Sequence, residues 1–205
     1  MSLCVICRRT TAASACQPCE ARLRGILDCI PGWYDALEHD LIPSQRAADD
    51  VPVKTSKVHA PIPVNLHVLN LRSKGGIVTT LREWETDLRV QRGEGVPVFA
   101  GDLRQTLTAT VGYLTGTLAW AMTQYDKMRD LAGALDWVRS TCEAATGARV
   151  KLRYIGTCPE ILDDHQECGR SLRVGPDDIE ITCICGTSWP RTRWVQLATA
   201  MRAGA

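Results

Sequence analysis

A chain of 205 residues with 45% apolar content is long enough to bury a real core. Its 24 basic and 23 acidic side chains leave a formal charge of +1, which excludes the overall basic signature of a nucleic-acid-coating protein, so any DNA contact must come from local clusters. No run approaches the about 18 consecutive apolar residues of a membrane span, and neither a long internal repeat nor a low-complexity tract is visible.

Residues 1–42 read as a zinc module. Cys4-x2-Cys7 and Cys16-x2-Cys19 each bring two thiolates to one point from a tight turn, and four thiolates complete the tetrahedral shell of a structural Zn²⁺. The competing reading is disulfides. Met1 to Thr10 carries a cysteine pair and two arginines where a secretory signal needs an apolar run, so the expected compartment is a reducing cytoplasm in which thiolates bind metal. A helix is expected from Gln17 to Asp28, with Leu23, Ile26, Leu27 and Ile30 on one side. Pro31-Gly32 should break it before a second piece, Trp33 to Leu41, that buries Trp33, Leu37 and Leu41. Cys29, like Cys142 further on, is expected to be a small buried apolar residue.

Residues 43–63, with Pro43, Pro52, Pro61 and Pro63, read as a linker. Residues 64–148 then form a helical bundle. Ile77, Leu81, Trp84 and Leu88 recur at helical spacing, with Thr80 and Glu83 in the form of a capping box. Asp102 and Gln105 open the next helix in the same way. Its stripe is Leu103, Leu107, Val111, Leu114, Leu118, Met122 and Tyr125. Asp126 is a candidate N-cap for a third helix carrying Met128, Leu131, Leu135, Val138, Cys142 and Ala145, closed by Gly147. The two long helices should pack as an antiparallel hairpin.

Residues 149–205 read as a zinc ribbon followed by a helix. Cys158, Cys168, Cys183 and Cys185 form a second four-cysteine set. Strands at Ser171–Val174 and Ile179–Thr182, on either side of the turn Gly175 to Asp178, are expected to make the hairpin that gathers them. The spacing is irregular: nine residues separate Cys158 from Cys168 and one separates Cys183 from Cys185, so His165 stays open as a replacement for Cys158. Asp163, Asp164 and Glu167 are expected to form a solvated acidic tip. The fold class is therefore mainly α, with an N-terminal Cys4 knuckle, a central bundle and a C-terminal ribbon with a β-hairpin.

Catalysis finds no support in the motifs. There is no phosphate-cradling glycine loop with a lysine, no H-E-x-x-H, no nucleophile elbow and no carboxylate pair framed by a histidine. Four protein ligands at each zinc leave no open position for a reacting water. A small-molecule substrate is not expected either. Basic clusters at Arg8-Arg9, at Arg22 and Arg24, and at Arg191 and Arg193 beside Trp189 and Trp194 suit either nucleic-acid or protein recognition. Arg191 and Arg193, at the start of the final helix, are the candidate DNA contacts.

Four segments together carry a resemblance: Cys4-Val5-Ile6-Cys7 with Cys16-Gln17-Pro18-Cys19-Glu20-Ala21-Arg22-Leu23; Pro61-Ile62-Pro63-Val64; Ile155-Gly156-Thr157-Cys158-Pro159; and Cys185-Gly186-Thr187-Ser188-Trp189-Pro190-Arg191-Thr192-Arg193-Trp194. Their order along the chain resembles a group of actinobacterial and actinobacteriophage zinc-ribbon proteins. In that group a helix-turn-helix segment commonly follows the ribbon, and members are usually labelled DNA-binding. The resemblance implies a phage-associated protein with two structural zinc ions that regulates transcription at DNA. Here the last cysteine pair is one residue shorter than in the group, and a single amphipathic helix, Pro190 to Met201, follows the ribbon. The alternative expectation is an adaptor that binds a host or phage protein through the zinc-module surfaces.

Overall fold

A computed structural model describes residues 2–41, 64–99, 101–147, 153–176 and 178–203. The linker expected over residues 43–63 lies outside the described residues. In chain order the elements are β1 (Ser2–Leu3), β2 (Thr10–Thr11), α1 (Gln17–His39), α2 (Leu66–Arg72), α3 (Ile77–Gln91), α4 (Leu103–Gln124), α5 (Met128–Ala145), β3 (Arg153–Thr157), β4 (Ser171–Val174), β5 (Glu180–Thr182), β6 (Ser188–Pro190) and α6 (Trp194–Ala203). The protein is thus mainly α with small β-hairpins. Among the described residues no helix is long and apolar enough to cross a membrane.

The chain divides into two compact units. One takes Met1–Gly25, Thr117–Gly133 and Arg149–Ala205, so it contains both cysteine sets; the other takes Ile26–Gly116 and Ala134–Ala148.

The second unit is helical. Its first helical segment corrects the expectation of a break at Pro31, because α1 runs without interruption from Gln17 to His39 with Pro31 inside it. An interior proline removes one backbone hydrogen bond and costs about 3 kcal/mol. The apolar phase explains why the helix continues: Leu23, Leu27, Ile30, Tyr34 and Leu37 repeat at four, three, four and three residues, and every one is buried. That phase buries Tyr34 where Trp33 was expected. Cys29 falls off the stripe and is exposed, which corrects its expected burial.

On α3 the helix starts at Gly76 with no side-chain cap, and the Thr80 hydroxyl donates to the Gly76 carbonyl instead of capping. Its buried face includes Glu85, at 3% exposure, while Trp84 is only half-buried. A buried carboxylate needs partners. Glu85 accepts from Arg89 at 2.8 Å and from the Thr110 hydroxyl at 2.7 Å. Asp102 and Gln105 do form the expected capping box: the Gln105 N–H donates to Asp102 at 2.7 Å and the Asp102 N–H to Gln105 at 3.4 Å. On α4, Leu107, Val111 and Leu114 are buried in phase, and α5 buries Leu135, Val138 and Cys142. Only three residues separate α4 from α5, a connection short enough to make them antiparallel neighbours.

Among the described residues of the first unit, three two-stranded antiparallel sheets pair β1 with β2, β3 with β4 and β5 with β6. This corrects the expected ribbon hairpin, in which β4 was to pair with the strand after Gly175. The strand that precedes Cys158 takes β4 instead, in the register Tyr154 to Arg173 and Thr157 to Ser171, with an irregularity between Tyr154 and Gly156. Gly156 sits at φ 141°, and a Cβ there would lie 2.7 Å from the sulfur of Met201 on α6. Residues with a side chain rarely adopt that dihedral, and a Cβ there would also displace the Met201 side chain. Leu162, Leu172, Ile181, Trp189 and Leu197 form a small core with the four C-terminal cysteines.

Candidate metal centres

The N-terminal set is built by a hairpin and a helix start. Cys4 and Cys7 lie in the connection between β1 and β2; Cys16 precedes α1 and Cys19 sits in its first turn. The turn is closed by Cys4 N–H donating to the Arg9 carbonyl and Arg8 N–H to the Cys4 carbonyl, both at 2.8 Å. Arg8 occupies φ 66°, a left-handed conformation uncommon outside glycine. The loop that follows is anchored by Ala15 N–H on the Met122 carbonyl at 3.0 Å and by the Ser14 hydroxyl on the Thr123 carbonyl at 3.2 Å. These contacts place Cys16 beside Cys4.

The C-terminal set is gathered by two hairpins. Cys158 and Cys168 stand at the ends of the β3–β4 connection, where Cys158 N–H donates to the Arg170 carbonyl and Cys168 N–H to the Glu160 carbonyl, each at 2.8 Å. The nine residues between them fold back on themselves through a bridge between Ile161 and Glu167, over the buried Leu162. The long spacing therefore still delivers both sulfurs to one point. Cys183 and Cys185 lie in the β5–β6 turn, closed by Gly186 N–H on the Cys183 carbonyl at 2.8 Å, with Gly186 at φ 91°.

Within each set one sulfur per residue lies within 4.8 Å of the other three. Cys4 and Cys19 are 3.9 Å apart and Cys7 and Cys16 3.5 Å; Cys158 and Cys185 are 3.8 Å apart and Cys168 and Cys183 3.7 Å. Four thiolates on a tetrahedral ion with bonds of about 2.3 Å would stand about 3.8 Å from one another. A disulfide would need about 2.05 Å, and all ten cysteines are free. The residues fit a metal dication. His165 is exposed at the tip of its loop and does not join the set, so the open choice at this site resolves to Cys158.

The electrostatics favour the same chemistry. Burial pushes the Cys7 thiol up to about 11 and that of Cys183 up to about 12, and it raises Cys19 and Cys158 as well. Burial also acts on Cys4, but N–H groups of Cys7 and Cys16 outweigh it and leave that thiol at about 7. At Cys185 burial is outweighed by the Thr187 hydroxyl and N–H, again leaving about 7. Each set thus contains one easily ionised thiol, Cys4 or Cys185, and two that burial keeps protonated unless a cation is bound. Cys142, pushed up to about 12 by burial, is neither exposed nor activated.

Arg191 and Arg193 form a 3₁₀ turn that leads into α6, and both are exposed. Arg191 donates to the Asp178 carbonyl at 3.1 and 3.2 Å and lies 5.6 Å from the centre of the Trp194 ring. Arg193 donates to Gln196 at 3.4 Å, and Trp194 is fixed by its indole N–H on the Trp189 carbonyl at 2.9 Å.

The acidic loop is the main departure at the site. Asp163 and Glu167 are exposed as expected, but the loop is not free of partners: Asp163 accepts the Thr10 N–H at 2.5 Å, and the half-buried Asp164 lies 3.3 Å from the Arg8 guanidinium. Sequence reading missed Arg8, Arg9 and Thr10 as partners of the ribbon. The available signal was the opposite charge of residues 8–9 and 163–164, which separation along the chain concealed.

Two four-cysteine clusters on small hairpins in one compact unit have the spacing of sites that can each hold a metal ion. No known protein family, curated protein or solved structure matches this chain.

Proposed function

We propose that this chain is a non-catalytic, DNA-associated regulatory protein whose two cysteine sets each hold a structural Zn²⁺ in the cytoplasm. The reading is supported by four sulfurs at each centre, spaced as a tetrahedral ion requires, which occupy every coordination position and leave none for a reacting water. The DNA contact is the turn before α6. Arg191 is held by the Asp178 carbonyl and Trp194, and exposed Arg193 stands two residues on. A guanidinium oriented in advance loses less entropy on meeting a phosphate.

Retardation of duplex DNA in gels, titrated across salt, tests this. Binding should weaken steeply as salt rises, and R191A/R193A should weaken it about equally for all sequences and reduce the salt slope. Unchanged affinity in the double variant would exclude this surface.

A protein adaptor is the second reading, and one observation favours it. Ile179, whose carbonyl accepts the Arg191 N–H, and Val195, next to Trp194, are 73% and 79% exposed. Apolar side chains beside an arginine stacked on tryptophan suit a protein partner better than a phosphate backbone. Absence of retardation at every salt concentration would select this reading.

A further inference from the structure

Arg9 belongs by sequence to the N-terminal module, between Cys7 and β2, yet its guanidinium serves the other centre. Nε donates to the Cys185 carbonyl at 2.5 Å, and Nη2 donates to the Thr187 hydroxyl oxygen at 2.5 Å. That oxygen is 3.4 Å from the Cys185 sulfur. A hydroxyl that accepts from a guanidinium keeps its own hydrogen free for a second partner, and the neighbouring sulfur is within reach once it is a thiolate. Four thiolates outweigh the charge of one Zn²⁺, so a cation at this distance favours the loaded centre.

The rest of the contact surface is reciprocal. Arg8 donates to the carbonyls of Glu167 at 2.9 Å and Cys168 at 3.3 Å, in addition to its pairing with Asp164. Thr10 N–H meets Asp163. In the opposite direction, Arg170 donates to the carbonyl of Ile6, between the first two cysteines, at 2.6 Å. The loop inside each cysteine set is therefore braced by the loop of the other. A cleft of about 570 Å³ between them is walled by Cys7, Cys16 and Cys19 on one side and Cys183 and Cys185 on the other.

We propose that Arg9 is a positioning residue for the C-terminal centre, and that through this shared surface the two ions load as a coupled pair, each ordering the loop that braces the other's ligands. The inference rests on reading both cysteine sets as zinc sites. It adds a dependence that two independent knuckles would lack: by linkage, whatever factor the second ion contributes to binding of the first must be returned equally.

The test uses the full chain, stripped of metal under reducing conditions and titrated with Co²⁺ against a competing chelator, reading the thiolate-to-cobalt and ligand-field absorption. The wild-type chain should take up two ions in one step. C183S should bind its remaining ion at least about tenfold more weakly than the wild-type chain, and C7S should lower affinity at the other centre by a similar factor. Because a cysteine variant can disturb its own module's folding, the deciding variant is R9A, which keeps all eight thiols. It should weaken the C-terminal centre about 10- to 100-fold and separate the uptake into two steps, while R9K, with the charge but not the fork, restores it only in part. One-step uptake by R9A at wild-type affinity, or a C183S chain whose remaining site binds within about twofold of wild type, would overturn the coupling. Absence of thiolate-to-cobalt absorption in the wild-type chain would overturn the zinc reading itself.

Discussion

Asp163, in the loop between Cys158 and Cys168, accepts the backbone N–H of Thr10, between Cys7 and Cys16, at 2.5 Å. The same N–H holds the Asp163 carboxyl below its ordinary range, with the Thr10 side chain acting in the same direction. A carboxyl depressed in the folded state stabilises it above the unfolded pKa of about 3.9, and the contribution is lost as pH falls through the lower folded value. The Thr10 amide resonance should therefore shift with a midpoint below the ordinary aspartate value, and the titration should vanish in D163N. A midpoint at or above about 3.9 would refute the contact.

Elemental analysis of protein purified without chelator should find two Zn²⁺ per chain, and C183S should retain one, because structural sites bind tightly enough to stay filled after a loss of affinity. Binding must also expel protons. Burial raises Cys7 and Cys19 in one set and Cys158 and Cys183 in the other, so these thiols are protonated at neutral pH without metal. At pH 7.4 each ion should release about two protons or more, and affinity should rise with pH between about 6 and 8. Calorimetry in buffers of different ionisation enthalpy measures the number; release of fewer than about one proton per ion would contradict the burial argument.

Chelation should leave most helical circular dichroism intact. All eight ligands lie in one unit, whereas α2, α3 and the larger parts of α1, α4 and α5 belong to the other. That unit buries Leu81, Leu88, Leu107 and Leu135 without help from metal. Collapse of helicity together with zinc loss would show that the helices depend on the metal centres.

The buried Glu85 makes Thr110 a sensitive position. T110V keeps the shape of the side chain and removes the hydroxyl that donates to Glu85 at 2.7 Å. One carboxylate oxygen then loses its buried partner, at a cost of about 1–3 kcal/mol. Urea denaturation should show a lower midpoint in T110V and a smaller loss in T110S. Equal stability of T110V and wild type would mean that water replaces the hydroxyl.

The elements legible in the sequence are those set by neighbours along the chain. Two Cys-x2-Cys pairs close a four-sulfur set because each pair spans one turn, and Asp102 with Gln105 forms its capping box within a single helical turn. The stripes of α4 and α5 follow from periodicity alone. Pro31 misled because its local penalty is a few kcal/mol, less than the burial of Ile30, Tyr34 and Leu37 on a continuous face returns.

What only the tertiary structure decided is everything that depends on partners distant along the chain. The choice of β3 over β5 as the partner of β4, the seating of Met201 against Gly156, and the selection of Cys158 over His165 follow from how hairpins pack, and a sequence pattern carries no record of strand pairing. The pairing of Arg8, Arg9 and Thr10 with the ribbon loops is of the same kind. Polar and charged groups more than 150 residues apart in sequence meet only after both loops are folded. Composition shows that such groups exist, while geometry alone determines which of them meet at the surface.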